Sequence, residues 1–171
     1  MYRKFSLCYL HIIKILMSII PDAPFTMRVR GKLYSLVMKK CGKNFQVSHS
    51  AVIRGSWNIE IGDNVYLAPN SYLLSRHGIT IEDDVMIAIN SIVVDANHGK
   101  LDGSYRFSRG KSTMIKIGRG SWVAANSVIL PGATIGEGVL IGACCTINKE
   151  IPPHSIVHNS ESSIIIKKKE R

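Results

Sequence analysis

The chain has 171 residues, 46% hydrophobic, with a formal net charge of +10; that apolar content fits one folded core rather than a disordered tail or a string of domains. The charge sits at the ends: residues 1–43 hold nine Lys and Arg against the single acid Asp22, residues 161–171 sum to +2, and residues 44–160 carry nine of each sign. A nucleic-acid reader sets its basic residues on the folded face, so a neutral body between basic ends argues against that class and for an anionic membrane surface.

Leu7 to Ile20 is mostly apolar, with Arg3, Lys4 and Lys14 nearby. It is too short to span a bilayer comfortably and lacks a small-residue cleavage site, so no signal peptide is expected. Pro21 and Pro24 end it. A second helix is predicted from about Phe25 to Cys41, carrying Arg28, Arg30, Lys32, Lys39 and Lys40. Two compatible readings follow: the helices cap the open end of a repeat array, or their apolar and basic residues lie on a membrane. Residues 1–43 are therefore read as a helical, basic segment. Residues 44–160 are the repeat domain and residues 161–171 a basic tail.

From Val47 the chain repeats every six residues, loosely at first. Ile61-Gly62-Asp63-Asn64-Val65-Tyr66 and Leu67-Ala68-Pro69-Asn70-Ser71-Tyr72 share one pattern: aliphatic first, small or polar in the middle, small fifth. Residues 81–92 and 117–152 repeat it. A period of six fits neither a helix nor one long strand. It fits a chain that turns a corner every six residues, so that three flats close a triangular coil and stacked coils share a core. Gly and Asn at corners tolerate the left-handed backbone that tight turns need. The period slips by two residues at Ile59-Glu60 and at Ile79-Thr80, which lengthens a corner without turning the next aliphatic residue outward.

One break is larger. After Val93-Val94-Asp95-Ala96-Asn97-His98 the pattern stops, and it resumes at Ile115. Gly99 to Met114 is polar, basic and turn-rich, and is predicted to be a loop thrown out of the coil. Loops on a rigid repeat scaffold commonly carry function. Cys8, Cys41, Cys144 and Cys145 lack metal-ligand spacing; Cys145 falls on a small inward position and is expected to be a buried thiol. A cytoplasmic protein, at most peripheral at the inner face of the cell membrane, is the expected location.

These motifs resemble the hexapeptide-repeat acyltransferases, in the branch of maltose and galactoside O-acetyltransferases and surface-polysaccharide O-acetyltransferases. The resemblance covers roughly Val47 to Ile156. Its most specific stretches are Ile117-Gly118 through Trp122-Val123-Ala124, then Ile129-Leu130-Pro131-Gly132-Ala133-Thr134-Ile135-Gly136, and Asn148-Lys149-Glu150-Ile151-Pro152-Pro153. It implies an all-β solenoid, a left-handed parallel β-helix with a short α-helical N-terminal segment. It also implies a homotrimer that uses acetyl-CoA as cosubstrate, needs no metal, and acetylates a sugar hydroxyl of a capsule, O-antigen or exopolysaccharide.

The resemblance assigns residues too. His98, closing a coil just before the loop, is the general base, and a His near neutral pKa suits that task. The Ala125 amide would face the oxyanion. Asn70, eleven residues before Ile81, would bind the acceptor, with Asp95 and Asn97 near the imidazole or the sugar. Trp122 would pack on coenzyme A or at a trimer seam, and Lys149 would meet a phosphate. Arg106, Arg109 and Lys111 would meet a phosphate or an anionic acceptor. The family's enzymes for small free sugars carry acidic N-termini, whereas this one is basic and apolar, which favours a lipid-linked or nascent glycan. Two readings stay open beside this one: a catalytically silent trimeric scaffold and an N-acyltransferase for an amino sugar. A zinc enzyme would need three converging histidines, and His98 has no partners at matching coil offsets, so that reading is set aside.

Overall fold

The computed structural model describes residues 2–108 and 110–159. Arg109 and the basic tail at 161–171 lie outside the described residues. The repeat folds as expected, into a parallel β-solenoid of about six coils with three flat sheets. The first sheet stacks Lys40–Cys41, Ile59–Ile61, Ile79–Ile81, Ile115–Ile117, Thr134–Ile135 and Glu150–Ile151. The second stacks Gln46–Val47, Tyr66–Leu67, Met86–Ile87, Trp122–Val123, Leu140–Ile141 and Ile156–Val157. The third stacks Val52–Arg54, Tyr72–Leu74, Ile92–Val94, Val128–Ile129 and Thr146–Ile147. The solenoid thus begins at Lys40, a few residues before the expected boundary.

One aliphatic residue per flat points inward, and Val47, Leu67, Ile87, Val123 and Ile141 form one such fully buried column. The fifth position is inward and small. At Ser91, Ser121 and Ser127 the hydroxyl donates to a carbonyl of the next coil, Ala124, Gly136 and Gly142 respectively, all within 2.9 Å. The fourth position turns the corner with positive φ, held by Asn64, Asn70, Asp84, Asn90, Asn126, Gly120, Gly132 and Gly138. Asn, Asp and Gly bear that conformation at least cost.

Each coil has three corners: from the first sheet to the second, the second to the third, and the third back to the first. We call them the first, second and third corners. The register pairs Lys40 with Glu60, Glu60 with Thr80, Thr80 with Lys116, Lys116 with Thr134 and Thr134 with Glu150. Coils therefore take 20, 20, 36, 18 and 16 residues, against 18 for three ideal hexapeptides. Among the described residues, the departures all fall at the third corner. The two-residue slips occupy it at 55–58 and 75–78, and the extruded loop leaves it at Asp95, one coil higher.

Two helices close the open end, α1 (Tyr2–Met17) and α2 (Pro24–Ser35). α2 ends several residues before the sequence predicts, because the chain joins the first sheet at Lys40. α2 crosses Gln46–Val47 at Gly31, where a Cβ would overlap the Phe45 carbonyl. Arg30 is fully buried beneath both helices. Its guanidinium donates to Asp22 at 3.0 Å and to the carbonyls of Ile20 and Val47. Asp22 also accepts from Ser48 and from the His49 amide and ring. A buried charge is tolerated only when paired and hydrogen-bonded, so this knot ties the cap to the first coil. The capping reading of the N-terminus is thereby realised.

α1 also keeps a second apolar face. Phe5, Ile12, Ile15 and Leu16 are 55–61% exposed, and Ile19 just beyond the helix is 88% exposed. Lys4 and Lys14 lie on the same helix. Among the described residues, no helix is long and apolar enough to cross a membrane.

Candidate active site

The third corner builds a cavity of about 570 Å³, within the range of small-molecule sites. Its wall comes from three stacked departures: Trp57 and Asn58 from the first slip, Ser75 and Arg76 from the second, and His98, Arg106, Phe107, Ser108, Gly110 and Ser112 from the loop. The His98 side chain is exposed at this wall.

Its position is set by the loop stem. Asp95 to Asn97 and Lys111 to Thr113 run antiparallel, with the Asn97 amide donating to Lys111 and the Thr113 amide to Asp95. Gly110 lets the stem close, because a Cβ there would overlap the Asn97 carbonyl. His98 follows directly on this ribbon, so its backbone is fixed while its ring is open to a ligand.

Asp95 has a different place from the one expected. It is fully buried. Its carboxylate accepts from the Ser75 hydroxyl at 2.7 Å and from the amides of Arg76, His77 and Gly78 at 2.7, 2.8 and 2.7 Å. Turned inward at the last coil residue before the loop, it is shut off from solvent and binds the 75–78 corner to the base of the loop. Asn97 is exposed on the stem beside His98 but is not part of the cavity wall.

The other predicted residues lie elsewhere on the prism. Asn70 (φ 57°) and Ala125 both occupy the second corner, with the corner at Asn90 between them. The Ala125 carbonyl accepts from the Cys144 amide, while its own N–H enters none of the coil-to-coil backbone hydrogen bonds. Trp122 is 43% exposed on the outer face of the second sheet, stacked between Met86 and Leu140. Lys149 is exposed at the third corner, two coils above the loop. Within one chain, then, the structure joins His98 to Arg106 and leaves Asn70, Ala125 and Trp122 around another edge. Cys145 is buried as expected, at 2% exposure.

Trp57, Asn58, Arg76 and Phe107 line the cavity without having been singled out from the sequence. The signal was available: the two slips and the loop share one phase of the repeat, so they had to stack.

Two repeat models match the chain: bacterial transferase hexapeptide (six repeats) over residues 114–149, and hexapeptide repeat of succinyl-transferase over residues 58–96. Among curated proteins, "Putative acetyltransferase SACOL2570" of Staphylococcus aureus (strain COL) is 33% identical over 146 residues, covering 84% of this chain and 72% of that protein. "Putative acetyltransferase SAV2555" of Staphylococcus aureus (strain Mu50) is 37% identical over 65% of this chain, but the match spans only 56% of its own length. "Putative colanic acid biosynthesis acetyltransferase WcaF" of Escherichia coli (strain K12) is 27% identical over 81% of this chain and 74% of its own. Among solved structures, a galactoside acetyltransferase in complex with coenzyme A is 25% identical, with a TM-score of 0.75 over 91% of this chain and 74% of that one. A Vibrio cholerae hexapeptide-repeat acetyltransferase complexed with acetyl coenzyme A shares the fold at 21% identity, with a TM-score of 0.78 over 98% and 89%. The solenoid is thus the left-handed parallel β-helix that the family resemblance implied.

Proposed function

Because the chain belongs to the hexapeptide-repeat acetyltransferase family, we propose that it moves an acetyl group from acetyl-CoA to a sugar hydroxyl of a bacterial surface glycan, with His98 as general base. The observation that carries this reading is the placement of His98: a fixed backbone and an open ring at a cavity made where the repeat is broken. The relative named for colanic acid biosynthesis supports the glycan, and neighbours holding coenzyme A or acetyl coenzyme A support the donor.

The chemistry runs as a direct transfer. His98 takes the proton of the acceptor hydroxyl, and the oxygen attacks the thioester carbonyl. The tetrahedral oxyanion accepts a hydrogen bond from a preplaced N–H, the role assigned to Ala125. Collapse expels the coenzyme A thiolate, which takes the proton back from the imidazolium. No covalent enzyme intermediate forms.

His98 and Ala125 stand at different corners of one prism, so the reading requires them to meet between copies. The outer faces of the second and third sheets suit such an assembly. Tyr66, Met86, Trp122, Leu140 and Ile156 column one, and Val52, Tyr72, Ile92 and Val128 the other. The outer face of the first sheet is polar, with Lys40, Glu60, Thr80, Lys116, Thr134 and Glu150. A homotrimer that covers both apolar columns sets the third sheet of one copy against the second sheet of the next. Asn70 and Trp122 of that next copy then serve the acceptor and coenzyme A, with Lys149 toward a phosphate.

The exposed apolar face of α1, on a helix that also carries Lys4 and Lys14, gives the enzyme a peripheral seat on an anionic membrane, where a lipid-linked glycan would be met. The test is incubation with acetyl-CoA and pooled surface glycans, following thiol release and the mass of the product. Acceptor-dependent release with an ester-linked acetyl supports the reading. No release with any glycan favours a scaffold, and an amide-linked product favours N-acylation.

A further inference from the structure

The cavity at His98 has a charge character that its assignment to a sugar does not explain. Two guanidinium groups, Arg76 and Arg106, share its wall with the imidazole. Neither is in an ion pair among the described residues, although Lys116 and Arg119 on the same solenoid are paired with Glu82 and Asp84. Among the described residues, no carboxylate lines the cavity. The nearest in sequence, Asp95, is buried and turned into the 75–78 corner, where its oxygens accept from the Ser75 hydroxyl and three backbone amides and pair with neither guanidinium. Arg106 lies over the Phe107 ring, its guanidinium carbon 5.3 Å from the centroid, which leaves the edge of its N–H fork for a ligand.

We infer that the acceptor carries an anionic group close to the hydroxyl that is acetylated, bound by Arg76 and Arg106 across the cavity from His98. This rests on His98 marking the reacting end of the site. Coenzyme A phosphates are the other anions in the reaction. They lie a full pantetheine arm from the thioester, so cations beside the base are too near the reacting carbon to meet them. The chemistry fits a planar carboxylate, as in a uronic acid residue, or a phosphate at the anomeric position, since arginine binds both through paired N–H donors.

The experiment measures binding and turnover separately. Isothermal titration with a glucuronate-containing oligosaccharide, with glucose 1-phosphate and with their neutral counterparts is run on the wild type, Arg76→Gln, Arg106→Gln, Arg76→Lys and His98→Ala. The anionic ligands are expected to bind the wild type about tenfold or more tightly than the neutral ones, the size of one charge-assisted contact. The advantage should fall with added salt, vanish in the two Gln variants and partly return in Arg76→Lys. Preference for the uronate or for the phosphate tells which anion the glycan supplies. Equal binding of charged and neutral ligands overturns the inference, and so does a Gln variant whose KM rises for acetyl-CoA and not for the acceptor. His98→Ala separates the two claims. Anion selectivity retained together with full turnover would end the role of His98 as base and leave the anion site standing.

Discussion

Asp95→Asn tests whether the buried carboxylate holds the site together. One oxygen, Oδ2, accepts from the Ser75 hydroxyl and the amides of His77 and Gly78, and the other accepts from the Arg76 amide alone. Asparagine would keep its oxygen on the crowded side and turn its NH2 toward Arg76, donor against donor. Three charge-assisted hydrogen bonds become neutral, losing about 1 kcal/mol each, and one amide is left unpaired at about 1–3 kcal/mol. The expected loss is about 4–6 kcal/mol, a large part of a small domain's stability. Ser75→Ala, which removes a single donor, should cost only about 1–2 kcal/mol. Urea unfolding gives the totals, and hydrogen exchange at the amides of residues 76–78 gives the location. A loss below about 1 kcal/mol for Asp95→Asn, with those amides still protected, would refute the argument.

Ile12→Glu combined with Leu16→Glu should abolish sedimentation with anionic vesicles while leaving the thermal midpoint nearly unchanged, because both side chains are more than half exposed; retained sedimentation would count against the membrane seat. Burial raises the Asp22 carboxyl, but hydrogen bonds from Ser48 and from the His49 amide and ring outweigh it and hold the group below its ordinary value. A depressed carboxylate stabilises fully above its unfolded value of about 4 and loses that contribution as pH falls through the folded value. The helical cap should therefore loosen below about pH 4, read as proteolysis after α1, and Asp22→Asn should flatten that acid limb. Burial pushes the Cys41 thiol up to about 11, with Asp63 adding to it, and Cys145 is buried. An aromatic disulfide reagent should thus modify only the exposed Cys8 and Cys144 in the native state; rapid modification of all four would show that the coils open.

The fold was legible because one rule acts at every coil. An aliphatic residue at the first position fills the inward column, and Asn, Asp or Gly holds the positive φ at most fourth positions, with Cys144 and His154 as departures, so the repeat could be read without a structure. The start of the solenoid was less legible: Lys40–Cys41 is a two-residue strand with one exposed and one half-buried side chain, and it continued the helical pattern before it. Of the site, His98 stood out because it ends a coil. Trp57 and Arg76 did not, since each is an ordinary polar or aromatic loop residue until the slips are stacked on one corner. Asp95 was misplaced because sequence cannot tell an Asp facing solvent from one turned under a corner to collect amides. Asn70, Ala125 and Trp122 belong to other faces of the prism, and it is the proposed trimer that would join them to His98.

The central claim is that His98 is the base. The most direct measurement is steady-state acetyl transfer by His98→Ala alongside direct binding of acetyl-CoA to the same variant. The account predicts a fall in kcat of about 10²–10⁴, the range of a lost general base, with acetyl-CoA affinity and thermal midpoint unchanged, since the exposed ring makes no internal hydrogen bond among the described residues. Wild-type turnover in His98→Ala would contradict it.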